Sequence, residues 1–322
     1  MSALQPIRPL VTRRARPRGT AALAALLSSF VIGHSSFPEA QPRGSLQALV
    51  DAEVARVPAR AGLWIKHLGS GEEAAVNADA TFNSASVVKI PVAALVFRLA
   101  ERGAISLDER VTLGKADVRG GSGVFRHHDP GLQPTWRDVV LQMIITSDNT
   151  ATDLAIGKAG GVGAVNAFLR ETGYADGIRL TQTTGELFAK YAALAPGQSA
   201  QKTNEDRAYW LGEMTPRATG RLLEALQTHT LVSRESSEAL VRMMRAQQAG
   251  ARRLPHFLTV PVAHKTGDFP PVLANDVGII FARSGPIVVS FFLNAIAEPY
   301  GEAEDRMGRI ARLVVDYFDG RQ

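Results

Sequence analysis

The 322-residue sequence contains no cysteine. Disulfides, thiolate metal sites, a cysteine nucleophile and a lipoprotein-type cysteine anchor are therefore excluded together. There is no His-Glu-x-x-His pair, and His127, His128 and His256 stand in loop-like stretches, so a zinc hydrolase is disfavoured and neither metal nor other cofactor is expected. No Gly-x-Ser-x-Gly elbow supports a Ser-His-Asp hydrolase. The body of the chain lacks an apolar run long enough to cross a bilayer. It also lacks a basic stripe interleaved with aromatics. The formal charge is +5, but Arg8, Arg13, Arg14, Arg16 and Arg18 account for the excess, and without them the balance is neutral. A nucleic-acid partner is not expected.

What remains is the balance of an ordinary globular chain, with 45% hydrophobic and 21% charged residues. The Arg-rich start followed by the apolar stretch 21–33 has the layout of a bacterial export signal, so residues 1–40 are assigned to export and the body to the periplasm or the extracellular space. An uncleaved anchor is the alternative, and no clear cleavage site precedes Gln41. The Arg13-Arg14 pair has poor flanks for the twin-arginine route.

Helical apolar spacing covers residues 45–56, and two short apolar stretches at 61–68 and 74–78 flank Gly69-Ser70-Gly71, a hairpin signal. Residues 86–101 form a long apolar run with one charge, Lys89, near its start, and predict a buried helix. From about 107 to 231 the pattern is helical, including 135–146 and 163–171, and strand signals are nearly absent. Strand-like stretches return at 257–264, 277–282 and 286–293, and residues 303–318 read as a closing amphipathic helix. The outer thirds are α/β and the middle third helical.

Three short motifs occur in order: Ser86-Val-Val-Lys89, Ser147-Asp148-Asn149 and Lys265-Thr266-Gly267. Each alone is weak, and a second Ser-x-x-Lys at Ser199-Ala-Gln-Lys202 lies in a polar, Pro-Gly-flanked stretch. A serine hydroxyl is a poor nucleophile until a neighbouring base takes its proton. On a helix, i and i+3 face the same way, so Ser86 is the candidate nucleophile and Lys89 its base, given a lysine pKa lowered by burial and by Lys265. The hydroxyl of Ser147 can relay a proton to a leaving nitrogen, and the Asn149 amide can donate to and accept from a substrate amide. Lys265-Thr266-Gly267 ends a strand-like stretch, so a turn is expected there. In a site, Lys265 and Thr266 would hold a substrate carboxylate, Gly267 would allow close backbone approach, and the N–H groups of Ser86 and Asp268 would form an oxyanion hole.

With these motifs the sequence resembles the serine β-lactamase and penicillin-binding superfamily, its class A branch closest. The similarity extends to residues 84–92 (SASVVKIPV), 120–124 (GGSGV), 141–154 (LQMIITSDNTATDL), 165–169 and 215–225 (TPRATGRLLEA), and covers nearly everything from 45 to 318. It implies an α/β (α+β) fold: an antiparallel five-stranded sheet flanked by helices, from residues 41–85 and 232–322, beside an inserted all-helical domain, 86–231, with the active site between them. It also implies a monomeric serine hydrolase acting on a small-molecule β-lactam, or, alternatively, an exported D,D-peptidase or esterase on a cell-wall peptide or ester; a non-hydrolytic β-lactam-binding module is a third possibility. One part departs. The family's Glu-x-x-Leu-Asn pattern, whose glutamate activates the deacylating water, is missing from Arg179-Leu-Thr-Gln-Thr-Thr184-Gly-Glu186-Leu-Phe188. Thr184 stands where that glutamate would be, and Glu186 is the one carboxylate close enough to substitute through a shifted loop.

Overall fold

A computed structural model describes residues 44–320; residues 1–40, expected to form an export signal, lie outside the described residues. The chain runs α1 (Leu46–Val54), β1 (Arg60–His67), β2 (Glu73–Val76), β3 (Phe82–Asn83), a 3-10 turn (Ala85–Val88) and α2 (Lys89–Glu101). Then follow α3 (Trp136–Ile145), α4 (Asn149–Lys158), α5 (Val162–Glu171), β4 (Ile178–Leu180), α6 (Thr184–Ala192), α7 (Ser199–Glu205), β5 (Gly212–Met214), α8 (Pro216–Gln227) and α9 (Arg234–Arg245). Strands β6 (Val262–Phe269), β7 (Leu273–Ala282) and β8 (Gly285–Asn294) lead into the closing helix α10 (Tyr300–Asp319).

The main sheet is antiparallel and five-stranded, in the order β2-β1-β8-β7-β6, as the resemblance implied. The first two strands reach their places beside the last three because the hairpin over Gly69-Ser70-Gly71 pairs with β8. Alternation divides each central strand between two cores. Trp64, Ile279, Val288 and Phe292 face the helical side, where α8 and α9 pack, while Leu63, Ile65, Ile280, Val289 and Phe291 face α1 and α10. Both faces are covered, which is why these strands read as near-continuous apolar runs.

Several boundaries differ from expectation. Helix α8, expected within the inserted helical domain, packs on β1 and β8, and Gly220 is needed there because a Cβ would lie 2.0 Å from the Trp64 ring. A small sheet, β3-β5-β4, joins the turn before Ser86 to the helical part. Its strands are two or three residues long, too short to show an alternating pattern. The strand expected at 257–264 begins at Val262 and continues through Phe269, so Lys265-Thr266-Gly267 sits in mid-strand, paired with Val277, Asp276 and Asn275, rather than before a turn. The second Ser-x-x-Lys belongs to α7, where Lys202 pairs with Asp206. Among the described residues no helix is long and apolar enough to cross a membrane.

Candidate active site

Ser86 lies in the 3-10 turn just ahead of α2, and Lys89 is the first residue of that helix. In a 3-10 turn i and i+3 eclipse, so the Ser-x-x-Lys spacing still stacks the two side chains. Ala85 enters the turn at φ 42°, a left-handed conformation that costs a non-glycine residue about 1 to 2 kcal/mol. A buried amide network holds it. Asn275 Nδ2 donates to Asn83 O (2.9 Å) and Ser84 O (3.1 Å), Asn83 Oδ1 accepts from Ala85 N (3.0 Å), and Asn294 Oδ1 accepts from Asn83 N (2.9 Å). None of these asparagines was legible as a site residue, because the partners lie 191 to 211 residues apart.

Lys89 is fully buried, and its Nζ donates to Ser147 O (2.7 Å), Ser147 Oγ (3.1 Å) and Asn149 Oδ1 (2.9 Å). Burial and the nearby Lys265 charge hold its pKa well below that of a free lysine. Lys265, also fully buried, donates to Ser147 Oγ (2.9 Å) and Thr266 O (2.9 Å); burial lowers its pKa to about 8 against the opposing pull of Asp268 and Asp276. Ser147 itself turns at φ 55°, and its hydroxyl accepts from both lysines. A hydroxyl has two acceptor sites and one hydrogen, so that hydrogen is left to donate elsewhere. Ser122 Oγ steadies the same turn through Ser147 O (2.7 Å).

The structure thus brings Ser86, Lys89, Ser147, Asn149 and Lys265 together. Ser86, Ser147 and Asn149 line a cavity of about 360 Å³, with Asp268 and Phe269 contributed by the end of β6 and Leu187, Phe188, Tyr191 and Tyr209 adding apolar surface. Lys89 and Lys265 lie beneath the floor. Asn149 spends its amide inside the protein, donating to Gly120 O (2.9 Å) and accepting from Lys89. Thr266 is fully buried and absent from the cavity wall, and its hydroxyl has no hydrogen-bond partner among the described residues.

Gly267 allows a close backbone approach within the protein itself. A Cβ there would lie 2.5 Å from Ser84 O and 3.2 Å from Ser86 N, so glycine lets β6 press against the nucleophile turn. Gly267→Ala is expected to push that turn aside and cut the rate of any reaction at the Ser86 hydroxyl by about 100-fold or more, as a misplacement near 1 Å does, while circular dichroism stays native. A rate within threefold of the parent would refute this role.

Glu186 is not brought to the cavity. It is exposed and serves the N-terminus of α6, where Thr183 Oγ1 accepts from Glu186 N (3.2 Å) and the Glu186 carboxylate accepts from Thr183 N (2.8 Å). Thr184 does line the cavity, but its hydroxyl donates to Asp153 Oδ1 (2.7 Å). Asp153 also accepts from the N–H groups of Thr184 and Gly185 and from Arg119 Nε, so both its oxygens are occupied. Among the described residues no group of three or more His, Asp or Glu could hold a metal.

The sequence model described as the beta-lactamase enzyme family matches residues 43–318. The chain belongs to that family. β-Lactamase L2 of Stenotrophomonas maltophilia is 30% identical over 265 residues, spanning 80% of each chain. The crystal structure of a β-lactamase from Sphaerobacter thermophilus is 30% identical with a TM-score of 0.72, covering 86% of this chain and 97% of that one. A mutant of PBP-A, solved as an acyl-enzyme complex with penicillin-G, is 25% identical with a TM-score of 0.68, covering 85% and 96%.

Proposed function

We propose that the protein is a serine β-lactamase that opens β-lactams through an acyl-enzyme on Ser86. The observation that carries this reading is the Ser147 hydroxyl accepting from both buried lysines at the rim of the Ser86 cavity. Lys89, neutral once it gives up one of its three donor contacts, turns its lone pair to Ser86 and takes the proton as Oγ bonds to the lactam carbonyl carbon. The oxyanion forms against the N–H groups of Ser86 and Asp268. The C–N bond then breaks, and the proton passes from Lys89 through Ser147 to the leaving nitrogen. Water completes the cycle by attacking the ester carbon, giving its proton to Lys89 and returning Ser86 to its hydroxyl form.

Release is the slow step in this scheme. Glu186 is committed to its helix cap and Asp153 to four donors, and Asp268 is ion-paired through one oxygen with Arg253, which weakens its carboxylate as a base. Losing a carboxylate base typically costs about 10² to 10⁴ in the step it serves, which leaves Lys89 as the base for water. The export segment, action as a monomer, independence of metal and a role in antibiotic resistance belong to the same proposal.

Intact-protein mass spectrometry after mixing with a penicillin tests it. A mass gain of one opened penicillin within seconds, decaying over minutes to hours with matching product, is expected. No adduct and no product would exclude the reading, and an adduct that never decays would favour a penicillin-binding protein.

A further inference from the structure

Asp268 is the one Asp, Glu, Lys, Arg or His side chain in the lining of the Ser86 cavity. Thr266 and Asp268 are two apart on the edge strand β6 and so share a face. On that face lies Arg253, 2% exposed, in the loop between α9 and β6. Every guanidinium nitrogen is in use. Nε donates to Glu304 Oε1 (3.0 Å), Nη1 to Asn275 O (2.8 Å), and Nη2 to Asp268 Oδ1 and the Tyr300 hydroxyl (3.0 Å). Tyr300 OH also approaches Asp268 Oδ1 (3.2 Å). No hydrogen bond among the described residues reaches Asp268 Oδ2, and the side chain keeps 35% of its surface exposed beside the cavity.

One arginine charge is thus divided between two carboxylates, Asp268 and Glu304. The other cation at this end, Lys265, is wholly buried behind Ser147. We infer that Asp268 determines substrate charge preference: it fills the Arg253 fork as an internal carboxylate, so Ser86 acylates faster from acyl donors that are neutral at the end facing β6 than from anionic ones. This rests on the acyl-enzyme reading above. Like charges brought together cost enough to redirect partner choice, and because Asp268 stays partly open to solvent the penalty is screened by salt.

The test compares a penicillin with its own methyl ester, following adduct formation on the wild type and on Asp268→Asn, which keeps the backbone N–H and the side-chain shape. The ratio of acid to ester acylation rates cancels any general effect of the substitution, as in a double-mutant cycle. It is expected to rise about tenfold in Asp268→Asn. In the wild type, raising salt from 0.05 to 0.5 M (about a threefold shorter screening length) should move the ratio the same way, and this arm needs no variant to fold. A ratio that changes less than threefold in both arms, with both compounds acylating, overturns the inference. If neither compound acylates the wild type, the Ser86 reading itself has failed.

Discussion

Lys89→Met is expected to slow Ser86 acylation by about 10² to 10⁴, the range a general base supplies. Lys89→Arg should be equally impaired. Arginine keeps the charge and can still donate to Ser147 and Asn149, but it cannot be deprotonated in a protein, so it offers no lone pair to the Ser86 hydroxyl. The pair of variants separates two roles that a single deletion confounds. If Lys89 acted only as a fixed positive charge holding Ser147 O, Ser147 Oγ and Asn149 Oδ1, arginine would rescue a large part of the rate. Adduct formation followed by quench and mass spectrometry reads both directly. A Lys89→Arg rate within tenfold of wild type would remove Lys89 from the role of base.

The second large effect is on pH dependence. The two lysines must be in opposite states for acylation: Lys89 neutral to accept a proton, Lys265 charged to polarise the Ser147 hydroxyl. Lys89 loses its proton well below the ordinary lysine range, so the rate falls on the acid side of that titration. Lys265 titrates at about 8, so above that pH its charge disappears and the rate falls again, by about tenfold per unit once well past it. The profile is a bell whose alkaline limb lies more than two units below a free lysine's pKa of about 10.4, and its limits belong to the pair, since each lysine's charge affects the other. Lys265→Arg, permanently charged, should abolish the alkaline limb. A wild-type rate that is flat from pH 7 to 10 would contradict the assignment.

The chemistry of the site was legible where function and position coincide in a short stretch. Ser86 and Lys89 share a turn, Ser147 and Asn149 flank a helix start, and Lys265 stands in an apolar strand where a lysine has no packing purpose. The helices were legible because caps and apolar periodicity agree: Ser45 caps α1 and Thr135 caps α3, each within a residue of the expected start.

What supports the site was hidden for physical reasons. Arg252 and Arg253 are adjacent and identical in type, yet one is exposed and paired with Asp305 while the other is buried beneath Asp268. Only the fold distinguishes them. The amides of Asn83, Asn275 and Asn294 meet across strands far apart in sequence, and no local pattern encodes that meeting. Glu186 misled because Thr-x-x-Glu at a helix start supplies the same residue type to a cap as a hydrolase supplies to its water. Thr183 three residues before it was the available signal.

The central claim is that Ser86 becomes covalently acylated, and peptide mapping locates that event most directly. After brief exposure to a penicillin and acid quench, tandem mass spectrometry of the peptide carrying Ser86 should show the opened-penicillin mass on that serine, and Ser86→Ala should carry no adduct anywhere. An adduct on any other residue, or an unchanged adduct in Ser86→Ala, would contradict the account.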